Sequence, residues 1–93
     1  MNIIIIGAGN VGFTSAETLS TVHNVMIIEK DSVKADAIKS MLNVSVLHED
    51  GTNPRVLEIA IKKHEADLVV STLAEDGLNL FVCITCKGFR PSL

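Results

Sequence analysis

Four short runs rich in Ile and Val punctuate the chain: residues 2–6 (NIIII), 25–29 (VMIIE), 44–47 (VSVL) and 67–72 (DLVVST). Three of the four are apolar almost throughout and lack the alternation of a strand with one face in water. That pattern fits strands buried on both faces of a parallel sheet. Between these runs the apolar positions take helical spacing. Residues 10–22 gather Val11, Ser15, Thr18, Leu19 and Val22 near one face, with Ala16 beside them. Residues 32–42 align Val33, Ala37, Ile38, Met41 and Leu42, and residues 54–63 align Val56, Leu57, Ala60 and Ile61. Asn53 before Pro54 supplies a helix cap followed by a proline whose missing N–H costs nothing there. Asp76 is expected to cap a last helix over 77–87, with Gly88 ending it. The predicted order is β-α-β-α-β-α-β-α, an α/β chain with a parallel sheet and right-handed crossovers.

The first strand runs directly into "GAGNVG", residues 7–12. Gly7 permits a tight turn out of the strand. Gly9 presents bare backbone to which a pyrophosphate can come close. Gly12 lets the first helix pack tightly on the sheet. The start of that helix, through Asn10 and Val11, then offers free N–H groups and a partial positive charge to an anion. Glu29 ends the second strand seventeen residues after Gly12. This is near the usual spacing for a carboxylate that accepts hydrogen bonds from ribose hydroxyls. An acid there favours NAD(H) or an adenine nucleotide over a 2′-phosphorylated cofactor. Ligands of open α/β sheets sit beyond the carboxyl ends of the strands. "HEDGTNP" (48–54) and "STLAEDG" (71–77) lie there, so Asp50 and Gly51 are candidates for the adenine, and Thr72 and Leu73 for flanking the cofactor. Ordinary turn and cap chemistry explains both segments equally well.

Composition narrows the function. At 93 residues the chain is read as one domain, 1–93, with an apolar fraction of 47% and only Phe as aromatic. A net charge of −3 supplies no basic face for a nucleic-acid backbone. No apolar run approaches the roughly 18 residues that span a bilayer, and no basic region precedes the first apolar stretch, so a cytosolic chain is expected. Cys83 and Cys86 fall on the last helix and are read as free thiols, in effect small apolar residues. His23, His48 and His64 show no paired metal spacing, and no catalytic or metal-binding residue is assigned. Met26 and Met41 are read as core fillers.

The stretches "MNIIIIGAGNVG", "VMIIEKD", "VLHEDGTNPRVLEIA" and "ADLVVSTLAEDGLNLFVC", in this order and over nearly the whole chain, resemble the N-terminal domain of Trk-type potassium-uptake regulatory proteins, also called KTN or RCK domains. The resemblance implies a Rossmann-like three-layer fold with strand order 3-2-1-4. It also implies a cytoplasmic regulator that binds NAD(H), with ATP or ADP as further possibilities. Such a regulator forms homo-oligomers and acts beneath a membrane potassium transporter or channel subunit without entering the membrane. Carried onto this chain, Gly7, Ala8, Gly9, Asn10, Val11 and Gly12 would hold the pyrophosphate and Glu29 the adenosine ribose. Asp50 and Gly51 would lie by the adenine, and Thr72 and Leu73 would close the site.

Two departures bear on the ligand. Glu49-Asp50-Gly51-Thr52 replaces the family's common Gly-Asp-Ala-Thr. Asn10 stands where many members have Arg, which favours a dinucleotide over a triphosphate. Against the full family domain the chain reads as truncated after the fourth helix. The strand 67–72 then becomes a poorly protected edge, expected to be covered by another chain or by further sequence of a longer protein. The alternative reading is the cofactor-binding domain of an NAD-dependent dehydrogenase, whose chemistry would need a substrate pocket beside the nicotinamide.

Overall fold

The computed structural model describes all of residues 1–93. Strands and helices alternate strictly: β1 (Asn2–Ile6), α1 (Asn10–Leu19), β2 (Asn24–Ile28), α2 (Ser32–Met41), β3 (Ser45–Leu47), α3 (Pro54–His64), β4 (Leu68–Ser71) and α4 (Asp76–Phe89). Every pairing is parallel and the sheet order is β3-β2-β1-β4, the Rossmann-like arrangement expected. In the central strand, Ile3–Ile6 pair with Val25–Ile28 on one side and Leu68–Ser71 on the other.

The pleat explains the four consecutive isoleucines, because successive side chains point to opposite faces. Ile3 and Ile5 join Ala16, Val25, Ile27 and Ile38 on the side of α1 and α2. Ile4 and Ile6 join Leu57, Ala60, Ile61, Val82 and Cys86 on the side of α3 and α4. Both faces are therefore covered, and none of the four is more than 1% exposed. β-branched side chains suit such a doubly buried pleat.

The helix faces differ from expectation in α1 and α2. Val11 and Val22 stand in solvent, and the face of α1 on the sheet is made by Gly12 and Ala16, with Phe13 and Leu19 packed beside them. In α2, Val33 and Met41 are exposed as well, so Met41 is not a core filler. Ala35 and Ile38 are the buried pair, flanked by Leu42. Small residues win these positions because they let a helix lie close to the pleat. In α3 the expected stripe holds, with Leu57, Ala60 and Ile61 buried and Val56 packed against them. Asn53 caps α3 by accepting from the Arg55 N–H at 2.9 Å. Two end signals are corrected. Glu75, not Asp76, occupies the cap position of α4 and makes no side-chain cap bond, while Asp76 lies within the first turn. Gly88 does not end the helix, which runs on to Phe89 because Gly88 keeps a helical backbone; Gly7 is the sole glycine with positive φ. The Arg90 guanidinium donates to the Ala66 carbonyl and ties the end of α4 to the loop before β4.

β4 is an edge strand, and near it α4 leaves Leu80, Phe81 and Ile84 exposed. No helix is long and apolar enough to cross a membrane. The two thiols part company: Cys83 is exposed and Cys86 buried. Burial, helped by the neighbouring Cys83, pushes the Cys86 thiol up to about 11. Iodoacetamide at pH 8 is accordingly expected to add one label to the folded chain, at Cys83, and two after guanidinium unfolding, read by mass spectrometry. The unfolded thiol loses its proton near 9.0. Above that pH the unfolded state binds fewer protons than the folded state, so stability falls as pH rises toward about 11.

Candidate functional site

β1 delivers its backbone into a turn at Gly7, where φ is +99°, a conformation that side-chain-bearing residues rarely adopt. The Gly7 N–H donates to the Ile28 carbonyl at 2.9 Å and holds the turn at the end of β2. The chain then passes Ala8 and Gly9 into α1. Gly9 is extended (φ −72°, ψ −169°) and caps α1 without a side chain, and the first turn of α1 carries no acid. The first bond closing α1 runs from the Phe13 N–H to the Gly9 carbonyl at 2.8 Å, so the N–H groups of Asn10, Val11 and Gly12 have no backbone partner. The positive end of the helix dipole opens onto the turn.

The three glycines differ in what they do. A Cβ on Gly12 would lie 2.0 Å from the Gly7 carbonyl oxygen and 2.7 Å from Thr72 Oγ1. Gly12 is thus the contact at which α1 meets the turn, and it is buried behind it. A Cβ on Gly9 would meet nothing within 4 Å. The fold does not require a glycine there, and the space beside it is open.

Glu29 follows the last residue of β2 and is buried, with 8% exposure. Its Oε1 accepts from the Ala8 N–H at 2.7 Å and its Oε2 from the Asp31 N–H at 2.9 Å. One carboxylate therefore joins the glycine turn to the start of α2. Each oxygen can accept a second hydrogen bond, so the group keeps capacity for hydroxyls placed next to the turn.

Past β3, Asp50 Oδ1 accepts from the Thr52 N–H at 2.9 Å and the Thr52 hydroxyl at 2.7 Å. These bonds, backbone first, hold the Asp50 carboxyl below its ordinary 3.8, with Lys30 adding a smaller pull and burial opposing. Gly51 is buried, and a Cβ there would lie 2.5 Å from Ile6 Cγ2. Past β4, the Thr72 N–H donates to the Ile6 carbonyl at 2.8 Å, and its hydroxyl lies 3.0 and 3.1 Å from the Ile6 and Gly7 carbonyls.

These elements enclose a cleft of about 450 Å³ beyond the carboxyl ends of β1, β2 and β4, a size in the usual range for ligand sites. Gly7, Ala8, Gly9, Asn10, Val11, Glu29, Thr72 and Leu73 line it. Asp50 and Gly51 line a smaller crevice of about 70 Å³, which shares Gly7, Glu29, Lys30, Leu73 and Leu78 with the cleft. Of the eleven residues singled out in the sequence, Gly12 alone lines neither. Lys34 and Leu78 line the cleft without having been anticipated, and Lys30 lines both spaces. Helical spacing places Lys34 in the first turn after the Asp31 cap, at the same end of the sheet as Glu29. His48 is exposed, with its ring on the Lys30 carbonyl at 3.0 Å. A second open recess, lined by Met1, Asn2 and residues 20–24, lies at the opposite ends of the strands, away from the N-termini of the helices.

The TrkA-N domain family model matches residues 3–93. The Trk system potassium uptake protein trkA homolog 1 of Methanosarcina mazei is 37% identical over 87 residues, 94% of this chain and 21% of that protein. The Trk system potassium uptake protein TrkA homolog of Pyrococcus abyssi is 36% identical over 94 residues, covering 100% of this chain and 41% of that protein. The chain thus spans less than half the length of these curated relatives. Among solved structures, a dTDP-glucose 4,6-dehydratase from Bacillus anthracis in complex with NAD superimposes with a TM-score of 0.76 at 18% identity, covering 98% of this chain and 34% of that one. At that identity the likeness is one of fold.

Proposed function

This chain belongs to the TrkA-N domain family, and from that premise we propose that it binds NAD(H) across the glycine turn and serves as a nucleotide-sensing regulatory domain of a potassium uptake system. The observation that carries the reading is Glu29, buried and 2.7 Å from the Ala8 N–H, inside the cleft that the start of α1 also faces. The N–H groups of Asn10 and Val11 receive the diphosphate at the positive end of α1, while Gly12 lets the helix start close against the turn. Glu29 takes the adenosine ribose hydroxyls on its spare acceptor sites. Asp50, with Oδ2 free of the Thr52 bonds, and Gly51 flank the adenine, and Thr72 and Leu73 close the other side. The uncharged Asn10, standing where many family members have Arg, supports a dinucleotide over a triphosphate.

No bond is made or broken in this role. The ligand favours one arrangement of paired domains over another, by as much as its affinities for the two differ. The partner is a membrane potassium transporter or channel subunit. The chain acts on it from the cytoplasmic side as a homo-oligomer. The relatives named as Trk system potassium uptake proteins support the system assigned.

Calorimetry with NADH, NAD⁺, ATP and ADP tests the binding step. NADH is expected to bind, and NADPH to bind about tenfold more weakly or worse, because its 2′-phosphate would meet the Glu29 carboxylate at short range; tenfold corresponds to about 1.4 kcal/mol. Silence with all four nucleotides removes the reading.

A further inference from the structure

The β4 wall of the cleft is held by a side chain that lines neither cavity. Asn79 sits one turn into α4 and is half-buried. Its Oδ1 accepts from the Ser71 hydroxyl at 2.5 Å and from the Leu73 N–H at 2.9 Å, and its Nδ2 donates to the Leu73 carbonyl at 2.9 Å. Both backbone polar groups of Leu73 are thus satisfied by one amide, as a neighbouring strand would satisfy them. The far end of the same loop has no comparable tie, since Glu75 makes no side-chain cap bond to α4. Thr72 anchors the near end to the Ile6 and Gly7 carbonyls. Between these points Leu73 lines both the cleft over the glycine turn and the crevice beside Asp50.

We propose that Asn79 is a positioning residue for nucleotide binding, holding Leu73 against the glycine turn so that the wall of the site stands in place before the ligand arrives. The inference rests on the reading of this cleft as an NAD(H) site. Its physical content is preorganisation. A ligand that needs Leu73 in this position binds with an affinity reduced by the fraction of time Leu73 is elsewhere. An alanine at 79 leaves the Leu73 N–H and carbonyl without partners, and the segment from Thr72 to Glu75 then samples other conformations. The geometry also separates the contributions. Asn79→Asp keeps an acceptor for Ser71 and the Leu73 N–H but loses the donation to the Leu73 carbonyl.

The test combines NADH titration, watched by nicotinamide fluorescence, with amide hydrogen exchange on the 93-residue chain. Asn79→Ala is expected to raise the Kd for NADH about tenfold, a competent population of roughly one tenth. The loss falls mainly in the association rate, and faster exchange is confined to residues 72–75. Asn79→Asp falls between the two and keeps the inference testable should the alanine variant fold poorly. Val82→Ala removes fully buried packing one turn further along α4. It lowers the unfolding temperature yet leaves the Kd within about twofold, since Val82 makes none of the hydrogen bonds that hold Leu73. Wild-type affinity in Asn79→Ala, or an equal loss in Val82→Ala, overturns the inference while leaving the site intact. A wild-type chain that binds none of NADH, NAD⁺, ATP and ADP overturns both this inference and the reading beneath it.

Discussion

Gly12→Ala is expected to lower the midpoint of thermal unfolding by about 12 °C or more. The added Cβ would lie 2.0 Å from the Gly7 carbonyl oxygen and 2.9 Å from its carbon. The obstacle is backbone and cannot rotate aside. Nor can the turn retreat, because Gly7 is held at φ +99° with its N–H on Ile28, and the Thr72 hydroxyl closes the other side. α1 must therefore lift from the sheet, opening the contact at Ala16, which is fully buried. Overpacking of this kind costs about 3 kcal/mol at the upper end of its usual range. Against a total stability of about 5–15 kcal/mol this is a large share, and each kcal/mol is worth at least about 4 °C in a domain of this size. Gly88→Ala is the internal contrast. That glycine lies inside α4 with open space where its Cβ would go, so alanine there stabilises by about 1 kcal/mol through helix propensity. Melting followed by circular dichroism reads both. A shift under about 3 °C in Gly12→Ala would show that α1 slides at little cost and that the glycine is not the contact it is taken to be.

The contrast bears on what the sequence makes legible. The central strand announces itself because a strand buried on both faces is apolar at every position, and the four isoleucines of β1 leave no other reading; the edge strands β3 and β4 are apolar yet only partly buried. The glycine turn is legible for the same reason: a φ of +99° at Gly7 and a contact too close for any Cβ at Gly12 exclude every residue but glycine. The faces of α1 and α2 are less legible, and the reason is size. Counting large apolar residues at helical spacing picks out Val11, Val33 and Met41, which stand at the rim in solvent. Close packing on the sheet is done by Gly12, Ala16 and Ala35, which a hydrophobic stripe underweights. Asn79 was hidden for a different reason. An asparagine within a helix has no sequence mark that it closes the preceding loop, and its three bonds to Ser71 and Leu73 exist only once β4 and α4 are folded together. Glu29 could be placed at the end of the second strand by spacing alone. That its carboxylate bridges Ala8 and Asp31 follows only from the turn's backbone conformation.

Gly9→Val is expected to do the opposite of Gly12→Ala: the fold survives and NADH binding falls at least about a hundredfold, a loss of roughly 2.7 kcal/mol. Valine is compatible with the extended backbone at this position, φ −72° and ψ −169°. A Cβ there meets no protein atom within 4 Å, so nothing in the structure must move and the unfolding midpoint stays within about 4 °C. The added side chain enters open space at Gly9, which lines the cleft beside the free N–H groups that begin α1. A diphosphate can use those N–H groups only if its oxygens come within about 3 Å of the backbone, and the valine side chain occupies that approach. Gly9→Ala, with one carbon added, falls between wild type and valine. The pairing is what gives the measurement its force. Binding lost together with stability, as in Gly12→Ala, says only that the domain has loosened. Binding lost from a domain that melts normally says that a ligand atom needed the space beside Gly9. Wild-type affinity in Gly9→Val, measured by calorimetry alongside an unchanged melt, would place the diphosphate somewhere other than this turn and remove the basis for assigning Glu29 to the ribose.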